Sequence, residues 1–311
     1  MNKKYNFNVK NLNPEKNFYI YDITTMLEPK NNSLLFVRDY RVDYLDNLTK
    51  ISESILILNE EYKKNDKKFK DNNLIIYSNN PRAEYSRILK KIELFKLKNK
   101  KILKENYLIG ENTTIEEGTI IEGYVVIGNN VKIGKNCIIK SGAKIGDNTI
   151  IGENCYIGEN TVISGQGIGV LKDENENIYN PLHIGGVIIG NGVEIGPLCN
   201  IASGRIEKTV IRDNVIIGGS VYIAHDVEIG RNTLINVGAL ICGKTIIEEN
   251  VVIGPHSTVS NRVKIKKDGV VTLGSTVVSK VKSGETVTGN FAVPHKKFLQ
   301  IMKFLLLKSE E

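Results

Sequence analysis

Isoleucine recurs at every sixth residue over most of this chain. Ten of them run from Ile109 through Ile115, Ile121 and onward to Ile163 without a miss. The period resumes at Ile189, Ile195 and Ile201, slips by four residues, and continues from Ile211 to Ile265, with Val259, Val271 and Val277 in the same register. Two positions before each anchor stands a small or β-branched residue, as at Thr113, Thr119, Val125, Val131, Cys137, Ala143, Thr149, Cys155 and Thr161. Three positions after it, Asn is frequent, as at Asn112, Asn130, Asn136, Asn148, Asn154 and Asn160. Asn and Gly tolerate left-handed backbone, so these are turn residues. Neither a 3.6-residue helix nor an alternating antiparallel strand gives a period of six. A parallel β-helix does: each hexad supplies one short strand and one turn, and three hexads close a triangular coil. Residues three hexads apart then stack, and the inward Ile and small residue bury only against their copies in the next coil.

Two breaks interrupt the pattern. Ser164–Gly186, "SGQGIGVLKDENENIYNPLHIGG", carries no period, and ten residues rather than six separate Ile201 from Ile211. Insertions in a solenoid bulge outward and can line a cleft. Just beyond the second break, "SVYIAHDVEIG" (220–230) places a histidine and an aspartate together at a turn.

The ends lack the hexad. "SLLFV" (33–37), "SILIL" (54–58) and "NLIIYS" (73–78) read as strands. "NPRAEYSRILKKIELFKLK" (80–98) reads as a helix, with Asn80 as N-cap, Pro81 in the first turn, and Ile88, Leu89, Ile92 and Phe95 on one face. Residues 1–100 are therefore expected to form a small α/β domain, 101–285 the β-helix, and 286–311 a helical extension in which Phe298, Ile301, Met302, Leu305 and Leu306 fall at helical spacing.

Composition narrows the functional classes. Charged residues at 25% and hydrophobic ones at 41% fit an ordered soluble chain. The longest greasy run, "FLQIMKFLLL" (298–307), is too short to span a bilayer, which takes ~20 residues. With no signal-type N-terminus, a cytoplasmic protein is expected, with contact to a membrane surface left open. The four cysteines show no CxxC pairing; Cys137, Cys155 and Cys199 sit where other hexads hold Thr, Ala or Val, so they read as core residues and no metal site is expected. A net charge of +7 suits phosphorylated ligands, anionic lipid or an acidic protein. No helix-turn-helix, zinc finger or stacked-aromatic surface is present, so nucleic acid is not expected.

Three landmarks coincide: the small N-terminal domain, the interrupted hexads, and "VYIAHDVEIG" after the ten-residue step. Together they resemble the UDP-3-O-acylglucosamine N-acyltransferases of lipid A synthesis, within the left-handed β-helix hexapeptide acyltransferases. The left hand comes from that resemblance alone, since generic handedness rules give a right-handed crossover. The resemblance implies a homotrimer with sites between neighbouring solenoids. It also implies transfer of a 3-hydroxyacyl chain to the 2-amino group of a UDP-sugar. No cofactor is implied; the donor is acyl carrier protein with its phosphopantetheine, or acyl-CoA. His225 matches the family's catalytic base in "IAH", and Gly243, one coil on, matches the oxyanion donor. Asp226 stands where the family has Asn, and a His-Asp pair here looks more like the related UDP-GlcNAc O-acyltransferases. Phe36 matches one of three residues gripping the uracil, while Asp39 stands for an Asn and Val42 for a Tyr, with Tyr40 or Tyr44 as substitutes. A second family histidine is Arg262 here, beside Asn261; both are expected at the substrate. The Gly-Phe-Gly loop becomes "GQGIGV", and Asp-Arg-Gly becomes "ASGR".

Other histidines read more plainly. His183, at the end of the long insertion, is a candidate substrate contact, although a surface histidine is the simpler reading; His256 occupies an ordinary turn, and His295 starts the last helix. Lys296, Lys297, Lys303 and Lys308 are a solvated face or a landing site for an acidic carrier protein. Two rivals accompany the N-acyltransferase reading: an acetyl-CoA-dependent sugar N- or O-acetyltransferase of surface-polysaccharide synthesis, and a solenoid kept as a non-catalytic binding module.

Overall fold

The computed structural model describes residues 5–25, 28–37, 45–63, 69, 71–99, 107–289 and 294–308. The chain divides into two compact units, Met1–Lys101 and Ile102–Glu311.

In the second unit the hexads form a parallel β-helix with three walls. The first wall is a nine-stranded sheet running from Leu108–Ile109 to Thr276–Val277; the second has eight strands, from Thr114–Ile115 to Lys264–Ile265; the third has nine, from Ile120–Ile121 to Thr286–Val287. Each anchor pairs with its copy three hexads on, as Ile127 does with Ile145 and Ile223 with Ile241. The anchors from Ile127 to Ile265 point inward and are almost wholly buried, together with Val131, Cys137, Ala143 and their equivalents. All four cysteines are free thiols; Cys137, Cys155 and Cys199 are buried in this column and Cys242 is half-buried. The short strands persist because their backbone groups pair with the coils above and below, and the core is continuous along the axis.

The corners explain the Asn signature. Asn112, Asn130 and Asn148 adopt φ of 54°, 55° and 58°, the left-handed conformation that the turn requires. They also stack as a ladder, each side-chain amide donating to the next at 3.4 Å.

Both breaks leave the same corner, the one between the first and second walls. The first lies between Val162–Gly165 and Val187–Ile189, so Ile151 pairs with Ile189 across the whole insertion. The second lies between Asn200–Ala202 and Thr209–Ile211. Core register survives because both insertions are extruded outward and zipped together. Gly186 and Gly204 form an antiparallel bridge, Gly185 N–H donates to Gly204 O, and Ile184 N–H donates to Arg205 O. Lys208 Nζ staples the junction by donating to the carbonyls of Asn148 and Gly185 at 2.9 and 3.0 Å. The insertion itself folds into a hairpin, Leu171–Lys172 against Ile178–Tyr179.

The first unit is a four-stranded parallel sheet, Asp22–Ile23, Ser33–Phe36, Ile55–Asn59 and Leu74–Ser78 in spatial order, packed with the helix Pro81–Asn99. Asn80 caps that helix, its Oδ1 accepting from Ala83 N–H at 3.1 Å. Ile88 and Ile92 are buried against the sheet, with Leu89 and Phe95 packed beside them. A short antiparallel pair, Phe7–Asn8 with Tyr19–Ile20, and a one-turn helix, Leu45–Leu48, carry no periodic signal and were not expected from the sequence. The last helix spans His295–Lys308, with Phe298, Ile301 and Met302 exposed; the side chains of Leu305 and Leu306 lie outside the described residues. Among the described residues no helix is long and apolar enough to cross a membrane.

Candidate active site

The corner that extrudes both insertions also carries His225. It follows the first-wall strand Tyr222–Ile223, one coil above the ten-residue step. His225 Nδ1 lies 2.8 Å from Asp226 Oδ2, and both side chains are mostly buried. Adjacent side chains rarely meet; here Asp226 occupies the left-handed turn position, φ 58°, which swings its carboxylate back toward the preceding ring. The second carboxylate oxygen, Oδ1, accepts the backbone N–H of Arg205 at 2.8 Å, and Asp226 N–H donates to Thr209 Oγ1 at 3.0 Å. An ionised carboxylate only accepts, so Nδ1 is the protonated nitrogen and Nε2 carries the lone pair. The arrangement makes Nε2 a base of defined direction.

Gly243 stands one coil above. A Cβ built on it would lie 2.8 Å from His225 Nε2 and 2.9 Å from Cε1, so only glycine fits over the ring. Its amide, like those of Asp147 and His225 at the same register, is not capped as the first two of the column are. Those two are capped by the side chain one coil on: Glu111 N–H by Asn129 Oδ1 at 2.8 Å, and Asn129 N–H by Asp147 Oδ1 at 2.7 Å. No described residue accepts from Gly243 N–H. An uncapped donor beside a basic imidazole nitrogen is what stabilising a developing oxyanion requires.

The remaining predicted residues divide. Asn261 and Arg262 occupy the next coil of the same corner, exposed, about 10 Å above His225 at the usual strand spacing. Arg262 N–H donates to Gly243 O at 3.0 Å. The left-handed column that held Asn112, Asn130 and Asn148 now reads Asp226, Lys244 and Arg262, with φ of 58°, 60° and 62°. Charged side chains thus occupy the turn position that suits Asn. His183 is not a surface residue: it is 7% exposed, and its ring centroid is 5.0 Å from that of His225. The simpler reading of it fails because the insertion's C-terminal stem is zipped onto the corner rather than free in solvent. Phe36 packs half-buried against Tyr85 in the first unit, with ring centroids 4.6 Å apart. Asp39, Tyr40 and Tyr44 lie outside the described residues.

Sequence reasoning missed Arg205, Thr209 and Gln166. The first acts through its backbone N–H, which no residue type announces. A signal for the shared corner was nevertheless present: the breaks follow Ile163 and Ile201 and the histidine follows Ile223, all anchors of one wall.

A cavity of about 570 Å³ opens beside Asp226, lined by apolar Leu171, Pro181, Leu182 and Ile206, by the cations Arg205, Lys208 and Lys244, and by the carboxylates Glu207 and Glu228. Another, of about 480 Å³, lies at the corner of the second and third walls, where Arg231 and Lys267 both pair with Glu249 and the cations Arg212, Arg231 and Lys267 are matched by the carboxylates Asp213, Glu248 and Glu249. Only the first adjoins titratable groups aligned for chemistry.

The family described as bacterial transferase hexapeptide (six repeats) matches residues 106–140, 130–165 and 208–243. A UDP-3-O-acylglucosamine N-acyltransferase from Acinetobacter baumannii is 42% identical over 83 residues, 27% of this chain and 22% of that protein. Another of that name from Saccharophagus degradans is 43% identical over 75 residues, 24% of this chain and 22% of that protein. The matched stretch thus spans about a fifth of these curated relatives. Among solved structures, the Francisella novicida UDP-N-acetylglucosamine acyltransferase superposes with a TM-score of 0.54 at 26% identity, covering 60% of this chain and 66% of that one. The Moraxella catarrhalis UDP-N-acetylglucosamine O-acyltransferase gives 0.51 at 24%, covering 60% and 70%. The fold is that of the left-handed β-helix acyltransferases.

Proposed function

We propose that this chain is an acyltransferase that moves a 3-hydroxyacyl group from acyl carrier protein to the amino group of a UDP-linked amino sugar. The observation that carries the reading is the stack of Gly243 over a carboxylate-oriented His225. The amine attacks the thioester carbonyl carbon, and His225 Nε2 takes its proton. The tetrahedral oxyanion accepts from Gly243 N–H. Collapse breaks the carbon–sulfur bond, and the imidazolium returns its proton to the departing phosphopantetheine thiolate. No covalent enzyme intermediate is needed. Proton transfer of this kind contributes about 10²–10⁴-fold and the oxyanion donor about 10²–10³-fold.

The names of the curated relatives support the UDP-sugar and the amine acceptor. In this reading the cavity beside Asp226 takes part of a substrate, Asn261 and Arg262 reach its more distant groups, and Phe36 with the Asp39–Tyr44 segment binds the nucleotide. The working assembly is a homotrimer in the cytoplasm. On the last helix, exposed Lys296, Lys297 and Lys303 offer an acidic carrier protein a landing surface.

One observation favours a second reading. The His225–Asp226 pair suits deprotonation of a hydroxyl, which needs a stronger base than an amine does, and the solved relatives include an O-acyltransferase. An acetyl-CoA-dependent sugar N- or O-acetyltransferase is the corresponding alternative. Offering the purified protein 3-hydroxyacyl carrier protein or acetyl-CoA, each with UDP-sugars bearing a free amine or only hydroxyls, separates them. Transfer from carrier protein to the amine supports the first reading; acetyl transfer alone, or transfer only to oxygen, replaces it.

A further inference from the structure

The first insertion brings a second imidazole to the site, and one neighbour sets its tautomer. Gln166 Oε1 accepts the backbone N–H of His183 at 3.3 Å, while Gln166 Nε2 donates to the Pro181 carbonyl at 3.0 Å. Those two bonds fix which end of the amide is NH₂. The same nitrogen faces His183 Nδ1 at 2.9 Å, so Nδ1 accepts, and the ring's single proton sits on Nε2. Protonating Nδ1 would set two donors face to face. Nε2 is itself buried without a partner, tight against Gly167, whose hypothetical Cβ would lie 2.9 Å from it. The charged or titratable groups facing this ring are His225, Arg205 and Asp226. Burial first, then His225 and Arg205, hold His183 below the ordinary imidazole basicity, against the opposing pull of the Pro181 carbonyl and of Asp226.

We propose that His183 is a positioning residue for His225: an imidazole kept neutral by the Gln166 amide, so that Nε2 of His225 is the one proton acceptor at this corner. The catalytic part of this rests on the transfer reading above; the neutrality does not. A second cation about 5 Å from His225 would oppose formation of its imidazolium by roughly a hundredfold at an effective dielectric constant of about 20. The insertion therefore does more than wall the cavity. It sets beside the base a ring that adds no charge.

Two experiments test this, and they fail separately. Side-chain ¹⁵N spectra of the unaltered chain, which has only four histidines, should show His183 neutral with its proton on Nε2 from about pH 8 down to the ordinary imidazole pKa of about 6.5, and protonating only below it. A protonated His183, or one carrying its proton on Nδ1, within that range overturns the proposal whether or not the protein transfers acyl groups. The second experiment is kinetic. Gln166→Glu supplies a carboxylate that accepts an Nδ1 proton, so His183 becomes a cation at neutral pH. A cation there opposes protonation of His225, so the acid limb of the kcat profile, which reports that base, should move to lower pH by about one unit or more, and the weakened base should lower turnover near pH 7 about 10- to 100-fold. Gln166→Glu combined with His183→Phe removes the titrating ring, and the limb should return toward its original position. An unmoved limb in the single variant, or an equal shift in the double, overturns the role. If Gln166→Glu unfolds the loop, the spectra of the unaltered protein decide.

Discussion

Replacing Gly243 with Ala probes the site through a single methyl group. Gly243 has no positive φ, so alanine meets no backbone strain, and the unfolded chain loses some entropy, worth about 0.4–1 kcal/mol in favour of folding. The obstacle is His225. The new Cβ would lie 2.8 Å from Nε2, 2.9 Å from Cε1 and 3.3 Å from Cδ2, whereas such atoms pack comfortably at about 3.5 Å. The ring or the strand must give by roughly 0.7 Å to restore that separation. The ring is held at Nδ1 by Asp226, whose carboxylate is itself held by Arg205 N–H, so movement there breaks a hydrogen-bond chain. Movement of the strand instead re-aims the uncapped amide. A misplacement of about 1 Å in a catalytic group costs about 10²-fold, and loss of one oxyanion donor about 10²–10³-fold. Turnover by Gly243→Ala should therefore fall about 100-fold or more. Overpacking costs about 1–3 kcal/mol against the entropic gain, so Tm should drop by no more than about 8 °C. Gly123→Ala is the control, because nothing lies within 4 Å of its hypothetical Cβ. Steady-state acyl transfer and thermal melts on the three proteins are the assay. A Gly243→Ala protein with turnover within a factor of three of the original, about 0.6 kcal/mol, would refute the stacked-base geometry.

Three further outcomes follow from the same contacts. Asp226→Asn keeps the shape but can present an NH₂ to Nδ1, moving the ring proton to Nε2; kcat should fall about 10²–10⁴-fold with KM little changed, and kinetics with a melt check it. Lys208→Met removes the charged donor to Asn148 O and Gly185 O, costing about 1.5–3 kcal/mol locally, so amide exchange in 164–186 should quicken about tenfold or more while the walls stay protected. Ile223→Ala opens a cavity between Ile201 and Ile241, costing about 2–5 kcal/mol and lowering Tm by about 4 °C or more.

How far the sequence could be read depends on periodicity. The anchors from Ile109 to Val277 make the coil, its three walls and its inward column legible, because stacking repeats the same steric demand in every coil. Asn80, Pro81 and the Ile88–Ile92 face were legible for a similar reason: a cap and a helical stripe are local. His225 and Gly243 were legible through the resemblance carried by "IAHD" and the coil beyond it, and Asp226 as a departure from that family's Asn. What escaped lies in the aperiodic segments. The Arg205 amide that holds Asp226 is backbone, so its side chain gives no hint. His183 looked exposed because long loops usually are; it is buried because Gly185 and Gly204 allow two extruded segments to pair, with Lys208 stapling them.

Turnover by His225→Ala is the most direct test of the central claim. Measured with a 3-hydroxyacyl carrier protein and a UDP-linked amino sugar, it should be about 10²–10⁴-fold below the unaltered chain, with the melt and oligomeric state unchanged. A His225→Ala protein that is folded and transfers acyl groups at near-normal rate would contradict it.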